Sequence, residues 1–342
     1  MPCCRPVSSV GWRADEPSEV TLESASRMPR VSAAVLNYNG RALLEVILPS
    51  LAAQEYSDFE VVVVDNGSTD DSADYLREHW PQVRMVSAGA ANIGVAAALN
   101  LAVRSCDGEL VALLNNDLEL APSWLAELVQ ALDRHPQAGT AACKLMRYDR
   151  REELDGAGNI FTRSATGLQR GQGQPDRGQF DREEEVFAPT AGAALYRAET
   201  LAEVGPFDES FGAYFEDVDW GLRAQLLDQR CWYAPAAVAY HMGSATTRGD
   251  ADPLYYELQR RNTLALLIKD VPGRFIVRNL HHIVFHHALS LAYSVRAGML
   301  TVHLRALRSL LRAAPGWRAE RRRILGARRI ELREFDRFVS DR

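Results

Sequence analysis

Lysine is close to absent from this chain: Lys144 and Lys269 are the only two among 39 basic residues, so the arginine excess is partly a coding bias and only partly a signal. Cysteine is sparse and odd in number. The five (Cys3, Cys4, Cys106, Cys143, Cys231) share no metal-type spacing beyond the adjacent N-terminal pair, which argues against a disulfide framework and points to a reducing compartment. A bilayer-spanning run is also missing. A helical span needs about 20 apolar residues, and the uncharged stretch Asn279–Val295 is shorter and carries His281, His282, His286 and His287. Two nucleotide signatures are lacking as well. The first strand-to-helix turn reads Asn37-Tyr38-Asn39-Gly40-Arg41, without the G-x-G-x-x-G of a dinucleotide-binding dehydrogenase, and there is no Walker lysine motif. A net charge of −6 gives no overall field for nucleic acid, so no nucleic-acid partner is expected. Residues 1–27 mix Pro, Ser, Glu and Arg without an apolar core, and are expected to be a disordered tail and not a signal peptide, with Met28 compatible with a true start.

The remaining 342-residue composition, 47% hydrophobic and 25% charged, is that of a globular enzyme. From Val31 the pattern alternates: strand Val31–Leu36, helix Ala42–Ala53, strand Phe59–Val64, helix Asp70–His79, strand Val83–Val86, helix Gly94–Arg104, strand Leu110–Leu114, helix Pro122–Arg134. This order predicts an α/β fold with a mostly parallel, doubly wound sheet. Each strand ends in small polar residues, Asn37 to Gly40, Asp65 to Ser68, Asn92 to Gly94 and Asn115 to Asp117, which should share one rim. In open α/β sheets that rim is where ligands bind. Asn115-Asn116-Asp117 either delivers oxygen ligands suited to a hard divalent cation or caps the helix that follows. Asp65 is placed where a carboxylate accepts hydrogen bonds from a nucleobase or ribose.

Further along, residues 164–185 read as a mobile loop and candidate lid, Val186–Tyr196 as a strand, and Phe211–Leu227 as a helix bearing Glu216-Asp217-Val218-Asp219. Such crowded carboxylates repel, so at least one pKa should be raised, which suits a general base near neutrality. Alternatively the helix face is solvated and Asp219 pairs with Arg223 at i+4. From Asp252 the signal is helical to the end, beginning with Tyr255-Tyr256-Glu257-Leu258 and Arg261-Asn262.

Together, Val31 to Asn39, Val63 to Asp70, Asn92-Ile93-Gly94, Asn115-Asn116-Asp117 and Tyr214 to Asp219 resemble the inverting family 2 glycosyltransferases of the GT-A fold, particularly bacterial rhamnosyltransferase-like members. The resemblance spans about residues 30–270. It implies a GT-A domain over 28–250, its nucleotide half about 28–120 and its acceptor half about 121–250, with a helical, Arg-rich extension over 251–342. It implies a nucleoside-diphosphate sugar donor, contacted by Leu36, Asn39, Asp65, Asn92, Asn116 and Asp117, and a divalent cation, Mn2+ or Mg2+, held by Asp117 with His241. Asn115 stands where the family's first motif carboxylate is expected, which leaves Asp117 as the direct ligand. Asp217 is implied as general base with Glu216 beside it, and Gly192 as the small residue that leaves room for sugar and acceptor.

Residue by residue, other readings stay open. Asn37, Asn39 and Asn92 suit turn caps equally well, His241 suits a hydrogen-bonded core histidine, Gly192 a bulged strand, and Trp220 either a sugar-stacking ring or core. The acceptor is expected to be a hydroxyl of a cell-surface polysaccharide or lipid-linked glycan precursor, and the protein itself to be cytoplasmic. The apolar face Ile276, Leu280, Ile283, Val284, Leu291, Val295 and the arginines from Arg305 to Arg337 make a peripheral contact with the inner face of the plasma membrane conceivable; packing on the catalytic domain or a homodimer contact is the alternative. Rivals are a sugar nucleotidyltransferase, poorly matched by Asn37 to Arg41, and a catalytically silent nucleotide-sugar-binding scaffold.

Overall fold

Apolar runs whose two faces must both be covered produce a parallel sheet with helices on either side. The computed structural model describes residues 28–243, 252–331 and 333–340; the expected tail 1–27 and the pair Cys3 and Cys4 lie outside them. The first half runs β1 (Val31–Asn37), α1 (Arg41–Ala52), β2 (Phe59–Asp65), α2 (Ser72–His79), β3 (Arg84–Ser87), α3 (Val95–Arg104), β4 (Leu110–Asn115), β5 (Leu118–Leu120) and α4 (Trp124–Arg134). The second runs β6 (Ala138–Arg147), β7 (Leu154–Gly156), β8 (Asn159–Thr162), β9 (Gly167–Gln169), β10 (Glu184–Val186), β11 (Ala193–Arg197), α5 (Ala198–Val204), α6 (Glu216–Leu226) and β12 (Arg230–His241). Helices α7 (Pro253–Lys269), α8 (Gly273–Arg278), α9 (Leu280–Arg296) and α10 (Leu300–Ala327) follow, then β13 (Val339–Ser340).

The main sheet has the order β10-β12-β6-β11-β4-β1-β2-β3, with β11 and β10 antiparallel to their neighbours and the other strands on this path parallel. Alternation along the central strands sends Val31, Ala33 and Val35 to one face, against Leu44 and Leu48 of α1 and Leu125 and Leu128 of α4. Ala34, Val62 and Val64 point to the other face, against Ala96 and Leu99 of α3 and Trp220 of α6. The predicted elements of the first half all appear, shifted by a residue or two at their ends.

The second half departs from expectation. Val186–Tyr196 is not one strand: β10 pairs with β12 at the sheet edge, β11 lies between β4 and β6, and Phe187 to Gly192 join them. Pro189, which has no N–H to give a ladder, sits in that break. Strand β6, buried over nearly its whole length, was not anticipated; its start, Ala138-Gly139-Thr140-Ala141-Ala142, has little strand propensity and is held by its neighbours. Residues 164–185, expected as a mobile loop, contain β9 and lead into β10, and Lys144 Nζ fastens them by donating to Asp176 Oδ2 at 2.9 Å and Asp181 Oδ1 at 2.5 Å. Helix α6 starts at Glu216, later than expected.

Nor does the expected boundary near residue 250 separate two cores. Ala265 and Leu266 of α7, Phe275 of α8 and Trp317 of α10 pack with Phe161, Phe187, Phe211 and Val218 in one cluster. β13 adds to the small sheet of β8 and β9 through Val339 opposite Phe161.

Trp220 is a second correction. It is 1% exposed, edge-on to Tyr196, stacked near Phe207, and its Nε1 donates to Gly205 O at 3.1 Å, so it has no face to offer a sugar. Trp220→Ala should therefore lower unfolding stability by about 3–5 kcal/mol in urea titration, as expected for truncation of a buried aromatic; unchanged stability with weakened sugar binding would contradict this placement.

Candidate functional site

Strand register builds the rim. Asn37 lies opposite Asp65 in the β1–β2 pair and Leu36 opposite Asn115 in the β1–β4 pair, so three polar strand ends are level. The fully buried Asn37 amide joins its neighbours: Nδ2 donates to Asp65 Oδ1 at 3.4 Å and Ser68 Oγ at 3.3 Å, and Oδ1 accepts from Asn116 Nδ2 at 2.8 Å. Gly40 makes this possible, since a Cβ there would fall 2.0 Å from Asn116 Nδ2 and 2.6 Å from Asn37 Oδ1. Asp65 is 8% exposed and also accepts from Ser68 N at 3.2 Å.

Asn39 and Asn92 serve the loops. Asn39, at φ 48°, accepts from Thr69 N at 2.7 Å, while Asn92 Oδ1 accepts from Gly94 N at 2.8 Å and Asn66 Nδ2 at 3.2 Å. These are the turn-cap roles. The partly buried Leu36 side chain packs against the Ala34, Val62 and Val64 face.

Asp117 and His241 are far apart in sequence, and β5 brings them together. Leu118 pairs with His241 in the antiparallel β5–β12 contact, and Met242 N donates to Asp117 O at 2.9 Å. His241 Nε2 then lies 3.3 Å from Asp117 Oδ2, and Nδ1 lies 2.6 Å from Asp155 Oδ2. Burial opposes charge on this imidazole, yet hydrogen bonds to Asp117 and Asp155 outweigh it and push the pKa up to about 10. Asp117 Oδ1 is buried with no hydrogen-bond partner. An orphaned carboxylate oxygen beside an imidazole nitrogen whose other nitrogen is anchored on a second carboxylate is a donor set that fits a divalent cation. Among the described residues no group of three or more His, Cys, Asp or Glu side chains is placed to hold a metal ion by itself. Asp155 was missed in the sequence reading because the short run Leu154-Asp155-Gly156 looks like turn.

On the other side of β4, Asn115 N donates to Gly192 O at 2.8 Å, and a Cβ on Gly192 would meet Asn115 Nδ2 at 2.4 Å. Gly192 is thus required by close approach at the rim. One residue earlier, the Ala191 backbone lies close enough to the Asp217 carboxylate to favour its charged form. The Asp217 side chain also accepts from Asn159 Nδ2 at 3.1 Å and Val218 N at 2.8 Å, and Asn159, another residue not anticipated, is held in turn by Pro189 O at 3.1 Å.

Glu216 and Asp217 open α6. Burial, then the charge of Asp217, pushes the Glu216 pKa up to about 8, and Oε2 has no partner. Burial also raises Asp217, against the hydrogen bonds from Val218 and Asn159. Of the two carboxyls, the half-buried Asp217 is the more accessible. Asp219 has the structural role: fully buried, it takes Arg223 Nε and Nη2 at 3.0 and 2.9 Å and Lys269 Nζ at 2.5 Å, and Lys269 also reaches Asp208 at 2.8 Å. Burial alone would raise its pKa, but Lys269 and Arg223 hold it below the usual range.

Because the folded-state pKa of Glu216 is raised, the native state binds more protons than the unfolded chain between about pH 4.5 and 8, and stability falls as pH rises through that window. Glu216→Gln should flatten this slope, matching wild type in urea unfolding at pH 5 and exceeding it at pH 9. Parallel curves for the two proteins would refute the assignment.

Comparison with known proteins fits this geometry. Residues 32–205 match the family model described as glycosyl transferase family 2. The chain is 32% identical over 236 residues to the O-antigen biosynthesis protein RfbC of Myxococcus xanthus, 66% of this chain but 18% of that protein, so it spans less than a fifth of this relative. It is 29% identical over 248 residues to the N-acetylglucosaminyl-diphospho-decaprenol L-rhamnosyltransferase of Mycobacterium tuberculosis, 64% of this chain and 78% of that one. Among solved structures, the mannosyltransferase PcManGT of Pyrobaculum calidifontis in complex with GDP-Man and Mn2+ aligns with a TM-score of 0.53 at 21% identity, covering 88% and 86% of the two chains. S. aureus TarS 1–349 in complex with UDP-GlcNAc aligns with a TM-score of 0.56 at 20% identity, covering 87% and 91%. The fold is GT-A, as the strand order and its motifs had implied.

Proposed function

Because the chain belongs to glycosyl transferase family 2, we propose that it moves a sugar from a nucleoside-diphosphate donor to a hydroxyl of a cell-surface polysaccharide or lipid-linked glycan precursor, with inversion at the anomeric carbon. The observation that carries the reading is the pairing of two unlike carboxylate sites across the start of β11. Asp117 and His241 lie on one side, and Asp217 is tied to the other through Asn159, which also donates to Pro189 O in the segment before β11. Asp65 receives hydrogen bonds from the nucleoside. Asp117 and His241 Nε2, once the imidazole has given up its proton, would hold a divalent cation, Mn2+ or Mg2+, which would neutralise charge on the departing diphosphate. Asp217 takes the proton from the acceptor hydroxyl as its oxygen bonds to the anomeric carbon and the bond to diphosphate breaks. The names of the Myxococcus and mycobacterial relatives support an acceptor of this class, and the ligands in the PcManGT and TarS complexes support the donor and ion.

Assayed for release of nucleoside diphosphate with Mn2+ and a panel of UDP-, dTDP- and GDP-sugars, Asp217→Asn should lose at least about 100-fold in turnover with donor binding retained, whereas Asp117→Ala should lose donor affinity and Mn2+ response together. Transfer by Asp217→Asn within severalfold of wild type would move the base elsewhere, and no turnover by the wild type would favour a nucleotide-sugar-binding scaffold.

A lipid-linked acceptor also gives a role to the C-terminal helices. Among the described residues no helix is long and apolar enough to cross a membrane. Ile283 is buried and Ile276 packs beside it, so these two leave the expected apolar face. Val284 (58% exposed), Phe285 (65%), Leu289 (55%) and Val295 (58%) remain outside on α9, which has no acidic residue. On α10 the exposed Leu304 and Leu311 lie among Arg305, Arg308 and Arg312. We propose that this face rests on the anionic cytoplasmic leaflet, each nearby arginine contributing about 1 kcal/mol. Co-sedimentation with phosphatidylglycerol vesicles should weaken as salt rises and be lost in Phe285→Glu/Leu289→Glu. Absence of binding by a dimeric wild type would assign the face to a second copy instead.

A further inference from the structure

Helix α6 is entered through a backbone conformation that its own residues disfavour. Tyr214 and Phe215, both aromatic, have φ of 65° and 68°, in the left-handed region, and Glu216 and Asp217 follow directly. A turn of this kind persists where its surroundings over-determine it. The surroundings here are one dipeptide of α7. Asn262, fully buried, directs Nδ2 at three carbonyls of the approach to the turn, Phe211 O at 3.1 Å, Ala213 O at 2.9 Å and Tyr214 O at 2.6 Å. Arg261 Nη2 donates to Ser210 O at 2.8 Å and Phe211 O at 2.6 Å, and its Nε donates to Asn262 Oδ1 at 2.8 Å, which fixes the orientation of the amide. Two turns of α7 earlier, the Tyr255 ring packs edge-on to Tyr214 at 4.6 Å. The held loop also touches the nucleotide side, where Ala96 N at the start of α3 donates to Gly212 O at 3.1 Å.

We propose that Arg261 and Asn262 are positioning residues for the reaction: they clamp the left-handed turn at Tyr214–Phe215 and thereby aim the Glu216–Asp217 pair at the acceptor. The proposal rests on the glycosyltransferase reading only for the purpose of the clamp. The clamp itself is a statement about the backbone from Ser210 to Asp217. Neither side chain needs to meet donor or acceptor, so their loss should act on turnover and leave donor recognition, built on β1, β2 and β4, in place.

The test uses full-length Asn262→Ala and the half-buried Arg261→Gln, each followed by hydrogen exchange and by hydrolysis of whichever UDP-, dTDP- or GDP-sugar the wild type cleaves with Mn2+. Exchange in peptides covering residues 209–219 should quicken at least about tenfold with the rest of the chain unchanged. Turnover should fall about 30-fold with donor KM within about threefold, and the pH profile of kcat should shift as the carboxyl pair moves. Unchanged exchange over 209–219 in both variants, or faster exchange with wild-type kcat and pH profile, overturns the proposal. Should Asn262→Ala fail to fold, Arg261→Gln decides by the same criteria. Asp217→Asn run alongside separates the two readings: an active Asp217→Asn sinks the base assignment, and exchange then decides the clamp alone, as it does if the wild type cleaves no sugar nucleotide in the panel.

Discussion

Everything at the site depends on the level register of three parallel strands and on the one buried amide that ties their ends. With Asn37 opposite Asp65, and Leu36 opposite Asn115, a single side chain can hydrogen-bond to both neighbours at once. A one-residue slip of any of these strands would turn the polar end into the core and an apolar residue onto the rim. The closeness of the amides also dictates Gly40, which has no functional group yet cannot accept a side chain without parting Asn37 from Asn116.

From that rim the two halves of the chemistry are assembled differently. The side that follows β1, β2 and β3 is local: each loop carries its own polar residues and braces the next, as Asn39 does for Thr69 and Asn66 for Asn92. The rest of the site is built from distant pieces. His241 arrives through the β5–β12 pairing, Asp155 through β7, and Asn159 through the start of β8, all converging because β6 and β12 extend the sheet beyond β11. Helix α6, which carries Asp217, is held in turn by the buried Asp219–Arg223–Lys269 group. Fully paired, those charges are tolerated in the core; with one partner removed the others would be left uncompensated.

The C-terminal helices belong to this scheme and are no appendage. Helix α7 reaches α6 twice, through Asn262 to the turn before it and through Lys269 to Asp219 within it. Helix α9 stands behind α7, where the Tyr256 hydroxyl meets Ser294, and turns its apolar residues outward. A surface that contacts α9 is thus one helix away from the carboxyl pair.

By itself the sequence determined the elements of the first half and the identity of the rim, because period-2 and period-3.6 apolar patterns and strand-end polar residues are local signals read within a dozen positions. It also marked Glu216 and Asp217, since adjacent carboxylates are conspicuous in any chain, and Asp117, as the one carboxylate of the polar strand end Asn115-Asn116-Asp117. Only tertiary structure decided the rest. Whether Trp220 met sugar or core depended on Tyr196 and Phe207 closing over it. The break of Val186–Tyr196 into β10 and β11 depended on which neighbours offered free edges. Asp155, Asn159 and Asn262 acquire meaning only when pairings across tens of residues bring them to His241, Asp217 and Tyr214. Hydrogen bonds between distant side chains leave no period in a sequence, because what places them is the packing of whole elements.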